Sequence, residues 1–284
     1  MELALGTVQF GLAYGVAGSG HPVSESETRA ILAAAHEAGI RRLDTAPAYG
    51  DIEERLGGLC GGLDFGIVSK IPAMPEGLDS AEAASWLRAS VDLSRRRLGD
   101  RLCGIIFHDA SLPLGPHGAA LRDALADAVA GTGIRVGASH YSPETLPDKA
   151  LWSDHGMAQL PGNAYDQRID RLAETLADTE VSMRSAFLQG LLLVDRDRAI
   201  ARVPEAADWL AGWDRWCAKA GLPPLAAALA VAKSFDAVDY CLVGVDGIAQ
   251  LRDIIAAWDA TPAIKAPELA GNDPRVFDPR QWRS

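Results

Sequence analysis

The sequence predicts an α/β fold: a closed (β/α)8 barrel of TIM type. Three observations predict it. Short apolar runs alternate with helix-patterned segments, eight strands each followed by helix, and strict alternation argues for a parallel sheet. No composition break, low-complexity stretch or long linker divides the chain. The length of 284 residues fits one barrel of ~250 residues and leaves little for a second domain. A doubly wound open sheet is the rival, and eight units without a break favour closure. The expectation is one barrel domain over 1–284, with 259–284 as a Pro- and Asp-rich tail looping around the body.

Glu2 to Thr7 is the first strand, followed by a Gly-rich loop, QFGLAYGVAGSG. Ser24, with Glu27 three residues on, has the spacing of a capping box. It opens a helix to Ala38 that Gly39 ends. Strand Arg41–Ala46 and helix Ile52–Leu59 follow, then strand Phe65–Ile71 and helix Ser80–Leu98. Strand Leu102–His108 precedes helix His117–Ala130, and strand Arg135–Ser139 precedes a shorter helix, Pro143–Trp152. Strand Met157–Pro161 leads to helix Ile169–Asp178, and strand Val181–Phe187 to two helices, Pro204–Ala220 and Pro223–Ser234. Strand Tyr240–Val245 and helix Ile248–Trp258 close the series.

A net charge of −11 argues against a nucleic-acid or anionic-membrane surface. It permits an anionic cofactor held by local groups and helix N-termini. No apolar run approaches the ~18 residues of a membrane span. Cys60, Cys103, Cys217 and Cys241 lie far apart in sequence, so no metal-type pair forms. Reduced, mostly buried thiols and a start, MELALGTVQFG, without a basic segment imply a cytoplasmic protein.

The chemistry gathers at strand ends. In a barrel, functional groups sit at the C-terminal rim. The second strand ends at Asp44, with Tyr49 in the next loop. The third ends with Lys70 in IVSKIP and the fourth with His108 in IIFHDA. Each has a plain alternative: a turn-forming Asp, a packing Tyr, a snorkelling Lys, a core His. One shared site explains all four. A Lys at an apolar strand end is costly unless paired, and Asp44 is its neighbour. A nearby ammonium is expected to lower the Tyr49 pKa from ~10, and His108 can hydrogen-bond a carbonyl oxygen. That is a proton donor beside a polarised carbonyl, for which a cofactor must supply hydride.

These residues carry a family resemblance. The segments LALGTVQFG, LDTAPAYGDIEERLG, VSKI, IIFHDA, GASHYS, MAQLPGNAYDQR, RSAFLQGLLL and LVGVDGIAQLRDI occur in this order. By them the chain resembles the aldo-keto reductase superfamily, in its bacterial NAD(P)H-dependent form, over nearly its whole length. The resemblance implies a catalytic tetrad of Asp44, Tyr49, Lys70 and His108, with Tyr49 protonating the substrate carbonyl as nicotinamide delivers hydride. It implies a cofactor, NADP(H) or NAD(H), extended across the barrel mouth. Gly6 and Thr7 would lie near the nicotinamide ribose, and Ser139, His140 and Gln159 would hold the carboxamide. Ser185, Phe187, Leu188, Gln189 and Gly190 would follow the pyrophosphate, and Gly244, Val245, Asp246 and Gln250 would meet the adenosine phosphate. Phe10, Tyr14 and Pro47 are candidate substrate walls, with loop packing as the alternative.

Three positions depart from the family pattern. His140 stands where Asn is usual, and Arg184 where an aromatic face usually stacks on nicotinamide. A guanidinium can stack too, but its charge would favour the reduced ring over the cationic oxidised one. After the last strand the chain reads GVDGIAQ, with Asp246 and no basic residue until Arg252. An acid suits a ribose diol better than a 2′-phosphate, so the family's usual NADPH preference is in question.

The leading expectation is an enzyme, an oxidoreductase reversibly converting a small polar aldehyde or ketone, sugar-like ones included, to the alcohol. The alternative is a cofactor-binding barrel of this family acting as a regulatory or binding subunit with little turnover. A phosphosugar isomerase would want a Gly-rich phosphate loop after strands seven and eight, and LQGLLL and GVDG supply only a thin version.

Overall fold

The computed structural model describes residues 1–16, 18, 20–142, 146 and 156–282. Eight parallel strands close in sequence order, β1 to β8, into a barrel. They are β1 Glu2–Gly6, β2 Arg42–Asp44, β3 Gly66–Ile71, β4 Leu102–Phe107, β5 Arg135–Ser139, β6 Met157–Pro161, β7 Glu180–Arg184 and β8 Tyr240–Val243. The helices are α1 Val8–Gly11, α2 Glu25–Glu37, α3 Ile52–Leu59, α4 Ser80–Leu98, α5 Gly118–Val129, α6 Arg196–Arg202, α7 Ala207–Ala220, α8 Pro224–Ala232, α9 Ile248–Ala260 and α10 Pro274–Phe277.

Strand side chains alternate between two faces, and the sequence uses the two faces differently. Leu5, Leu43 and Ile67 pack outward with Ile31 and Leu32 of α2 and Ile52 and Leu56 of α3. Ile105 and Phe107 pack outward with Leu87 and Val91 of α4 and Leu121 and Leu125 of α5. Each such side chain, taken from water, contributes about 1.5–3 kcal/mol. Inside the barrel Val68, Ile106 and Met157 form a small separate cluster. A Cβ on Gly137 would stand 1.8 Å from the Met157 carbonyl oxygen, so only glycine lets β5 pass β6 there. Helix α8 is buried at seven positions from Ala226 to Ala232, which its unbroken PLAAALAVA run requires.

The barrel is as expected, but several elements differ from their sequence reading. The loop after β1 contains α1, whose four residues give too short a pattern to register. Strand β7 stops at Arg184 rather than Phe187, because Ser185 takes φ 66°. The segment read as a helix over Ile169–Asp178 has only a 3-10 turn at Arg168–Leu172. The segment Pro204–Ala220 begins with a 3-10 turn before α7, and the unexpected α6 precedes it, with Asp195 capping at its start. The expected helix Pro143–Trp152 lies outside the described residues, Leu146 excepted. The tail is more than loop: α9 runs on to Ala260, and short helical turns occupy Pro267–Leu269, Pro274–Phe277 and Pro279–Gln281. It is pinned where the Asp273 N–H donates to Tyr165 Oη at 3.1 Å and Arg280 lies 3.9 Å from the Tyr141 ring centre.

The capping box at α2 is half formed. Ser24 Oγ accepts from the Glu27 N–H at 3.3 Å, but Glu27 does not return to Ser24. Its Oε1 instead accepts from the N–H of Ile248, at the start of α9, at 2.7 Å. A full capping box closes α4 between Asp79 and Glu82.

Candidate active site

The C-terminal ends of β2, β3 and β6 bring three polar side chains to one point. Lys70, 1% exposed, donates to Asp44 Oδ1 at 2.5 Å, to the Thr45 carbonyl at 3.1 Å and to Tyr49 Oη at 3.4 Å. Gln159 Nε2 donates to the other Asp44 oxygen at 2.8 Å. Both carboxylate oxygens are thus filled, and the ammonium has three acceptors. Strand pairing sets this up: Asp44 lies beside Val68, two residues before Lys70 on the same face. Thr7 holds the end of β2, its N–H and Oγ1 donating to the Asp44 carbonyl at 3.0 and 2.9 Å. His108, just past β4, meets the Tyr49 ring edge-on at 5.9 Å between centres.

Burial and charge tune these groups in opposite directions. Burial drives the Lys70 pKa down, but Asp44, followed by Tyr49, more than reverses it, so the ammonium stays charged. For Tyr49, burial is the largest influence and raises the phenol above its ordinary value, with Lys70 pulling against it. The sequence expectation of a lowered Tyr49 pKa is therefore corrected: the ammonium acts as expected, and desolvation outweighs it. Burial, then Lys70, push the His108 imidazole down to about 4. At neutral pH the site holds an ammonium, an intact phenol and a neutral imidazole.

A cavity of about 320 Å³ opens on this point. Asp44, Tyr49, Gln159 and Arg184 line one end, and it continues past Ser185, Phe187, Gln189 and Gly190 to Gly244, Asp246, Gln250, Asp253 and Ile254. Of the expected residues, Gly6 and Tyr14 also line it. Lys70, His108, Thr7, Ser139, His140, Leu188 and Val245 stand behind the lining or beside it. Ser139 Oγ donates to Gln159 Oε1 at 3.3 Å, and the His140 N–H donates to the Gln159 carbonyl at 2.8 Å, so β5 and β6 hold Gln159 in place. Phe10 is fully buried in the core, and neither it nor Pro47 reaches the cavity wall.

The β7 end is strained. Ser185, Leu188 and Gln189 take φ of 66°, 48° and 50°, at about 1 kcal/mol or more each. The strain is held by contacts to the loop after β1. The Val16 N–H donates to the Gln189 carbonyl at 2.9 Å, and Gln189 Nε2 donates to Tyr14 Oη at 2.9 Å. Arg184 donates to the His140 carbonyl at 3.0 Å and lies 4.8 Å from the Tyr141 ring centre. It has no carboxylate partner among the described residues.

Lining residues that sequence reasoning missed include Gln9 and Asp253. Asp253 and Ile254 follow Gln250 at helical spacing, a signal the sequence did carry. Gln9 sits in the loop after β1, where the sequence shows only its glycines. Its Oε1 is buried with no hydrogen-bond partner among the described residues.

Known proteins share this fold. An aldo-keto reductase from Bacillus halodurans, solved in its holo form, superposes with a TM-score of 0.71 at 21% identity, covering 94% of this chain and 89% of that one. The glycerol dehydrogenase of Gluconobacter oxydans gives a TM-score of 0.68 at 19% identity, covering 94% and 88%. At these identities the likeness is one of fold. Comparison with curated protein sequences gave no match. The family model described as Aldo/keto reductase family matches residues 2–266. That span takes in every strand and all the site residues described above, and the chain belongs to the aldo/keto reductase family, whose reaction is carbonyl reduction with a nicotinamide cofactor.

Proposed function

We propose that this protein reversibly reduces small polar aldehydes or ketones, sugar-like compounds included, with Tyr49 as proton donor. One observation carries the reading: a lysine that is 1% exposed, ion-paired to Asp44 and 3.4 Å from Tyr49 Oη, beside a cavity that Tyr49 lines.

The cavity suits a dinucleotide. Its wall runs from the ends of β1 and β2 to α9, glycines 6, 15, 18, 190 and 244 are part of it, and the Gln9 oxygen is buried with no partner among the described residues. When bound, the cofactor supplies the hydride. Tyr49 keeps its proton at neutral pH because burial disfavours phenolate, and gives it to the carbonyl oxygen as negative charge builds there. Lys70 stabilises the phenolate that results, and Asp44 and the Thr45 carbonyl hold the ammonium in place. His108, neutral, orients the carbonyl oxygen through an N–H and is not the acid.

Gln159, Ser139 and His140 would position the nicotinamide carboxamide, with Gly6 and Thr7 near its ribose. Ser185 to Gly190 would follow the pyrophosphate, and Gly244 to Gln250 the adenosine half. Phe10 and Pro47 would act through packing, and Tyr14 through contact. NAD(H) is favoured over NADP(H): Asp246, Gln250 and Asp253 line the far end, and Arg184, at the near end, is the sole Lys or Arg in the described lining. The chain would work as one domain, with residues 259–282 bracing the rim.

Tyr49→Phe tests the acid. Lys70 keeps Asp44 and Thr45 as acceptors, so the fold should hold. Reduction should fall by about 10²–10⁴-fold, while cofactor dissociation constants stay within twofold. Activity surviving in the variant would refute the assignment.

A further inference from the structure

The cavity wall includes Gln250, Asp253 and Ile254 from the first turns of α9. If hydride transfer happens beside Tyr49, the nicotinamide lies at that end. The rest of a dinucleotide then runs past Gly190 toward Gly244, Gln250 and Asp253, so the adenosine ribose reaches the first turns of α9. A 13-residue helix ordinarily offers an anion its free N–H groups and partial positive charge there. In this chain the first of those N–H groups is already taken by a carboxylate. Glu27 Oε1 accepts the Ile248 N–H at 2.7 Å and stands 3.2 Å from where a Cβ on Gly247 would be. Gln250 Oε1 takes the Asp246 N–H at 2.8 Å. Glu27 reaches α9 across 221 residues of sequence in place of bonding back to its own helix start.

We propose that Glu27 is a specificity-determining residue for the cofactor. Its carboxylate takes the first N–H of the helix end that a 2′-phosphate would need and fixes a negative charge there, behind the cavity wall, and so selects NAD(H) over NADP(H). This rests on the nicotinamide-reductase reading above. A 2′-phosphate brings about −1.5 to −2 charges toward Glu27, Asp246 and Asp253. A free 2′-hydroxyl is a donor that a carboxylate can accept. Removing the Glu27 charge restores part of the helix end's attraction for phosphate and removes one repulsion.

Glu27→Gln is the direct test, because the amide oxygen still accepts from Ile248 while the charge is gone. Dissociation constants of NADH and NADPH are read by nicotinamide fluorescence on the full-length proteins. Those of 5′-AMP and adenosine 2′,5′-bisphosphate are read by calorimetry. The wild type should prefer NADH and 5′-AMP. In the variant NADPH and the bisphosphate should tighten by about fivefold, with NADH and 5′-AMP within twofold. A wild type that prefers NADPH, or a folded variant with an unmoved NADPH-to-NADH ratio, overturns the proposal. If the variant does not fold, salt titration of the wild type decides. Repulsion is screened between ~0.01 M and 1 M salt, so the preference for NADH must narrow, and a constant ratio overturns the proposal. A wild type that binds neither nicotinamide cofactor overturns the reductase reading and this inference together; binding of both with an unmoved ratio overturns this inference alone.

Discussion

The two ends of the barrel carry nearly the same set of groups. At the rim one carboxylate, Asp44, meets one cation, Lys70, which reaches a tyrosine, Tyr49, and a second cation, Arg184, lines the same cavity. At the floor one carboxylate, Glu180, meets Arg42 and Arg135, and Arg42 in turn donates to a tyrosine, Tyr240. Arg42 Nη1 lies 2.9 Å from Glu180 Oε1, Arg135 bonds the other oxygen, and Arg42 stands 4.5 Å from the centre of the Tyr240 ring. Lys70 Nζ stands 5.2 Å from the centre of the Tyr49 ring. What differs is the boundary. The floor groups come from the first residues of β2, β5, β7 and β8 and close on one another. The rim groups gather at a cavity, and there a phenol keeps its proton and Arg184 has no carboxylate partner among the described residues. The same chemistry gives stability where it is sealed and reactivity where it is left open, as expected for the two faces of such a barrel.

The comparison breaks most visibly at the two tyrosine-bearing clusters. The Tyr49→Phe loss of about 10²–10⁴-fold in rate should come with little change in stability. Glu180→Ala should do the reverse. It leaves Arg42, 13% exposed at its side chain, buried without its carboxylate, at about 3 kcal/mol. Urea unfolding should show that loss, while kcat per folded molecule stays within twofold. A Glu180 variant that unfolds normally but reduces poorly would mean that the floor is not merely structural.

The rim was legible because its groups mark strand ends, and strand ends are readable from apolar alternation. Asp44, Lys70 and His108 each close an apolar run, and Gln159 falls within one. Three features were not legible, for physical reasons. The net rise of the Tyr49 pKa comes from burial, a tertiary quantity that no local spacing encodes. The early stop of β7 comes from a positive φ at Ser185, a non-glycine residue that gives no warning. The partner of Glu27 lies on another helix, so the local capping-box pattern holds for Ser24 and fails for the Glu27 carboxylate. The floor cluster went unread because its residues begin strands singly, far apart in sequence.

His108 sharpens the contrast through pH. Its folded pKa is about 4, against about 6.5 unfolded. Between those values the unfolded chain binds a proton that the folded one refuses, so stability rises with pH across that window. Urea unfolding of the wild type should gain about 2 kcal/mol from this group between pH 4.5 and 7, and His108→Gln should remove that part of the slope. The same depressed pKa means that reduction should show no inflection near pH 6.5. An inflection there that disappears in His108→Gln would make the imidazole, not Tyr49, the acid.

The smallest expected effect concerns the surplus cation. Arg184 lines the cavity beside Tyr49, anchored on the His140 carbonyl at 3.0 Å. On the floor the comparable guanidinium, Arg135, is bonded to Glu180. A fixed positive charge near a nicotinamide ring disfavours the form in which the ring is itself positive. Arg184 should therefore hold the reduced cofactor more tightly than the oxidised one, poising the site for reduction. Arg184→Tyr removes the charge and leaves a flat face for stacking. The ratio of oxidised to reduced dissociation constants should fall by about threefold to tenfold, the equivalent of one exposed charge interaction in a partly desolvated site. Low salt should enlarge the effect. A ratio that stays put in the variant would mean that the charge is spent on Tyr141 and the His140 carbonyl, and that the rim is as self-contained at this position as the floor.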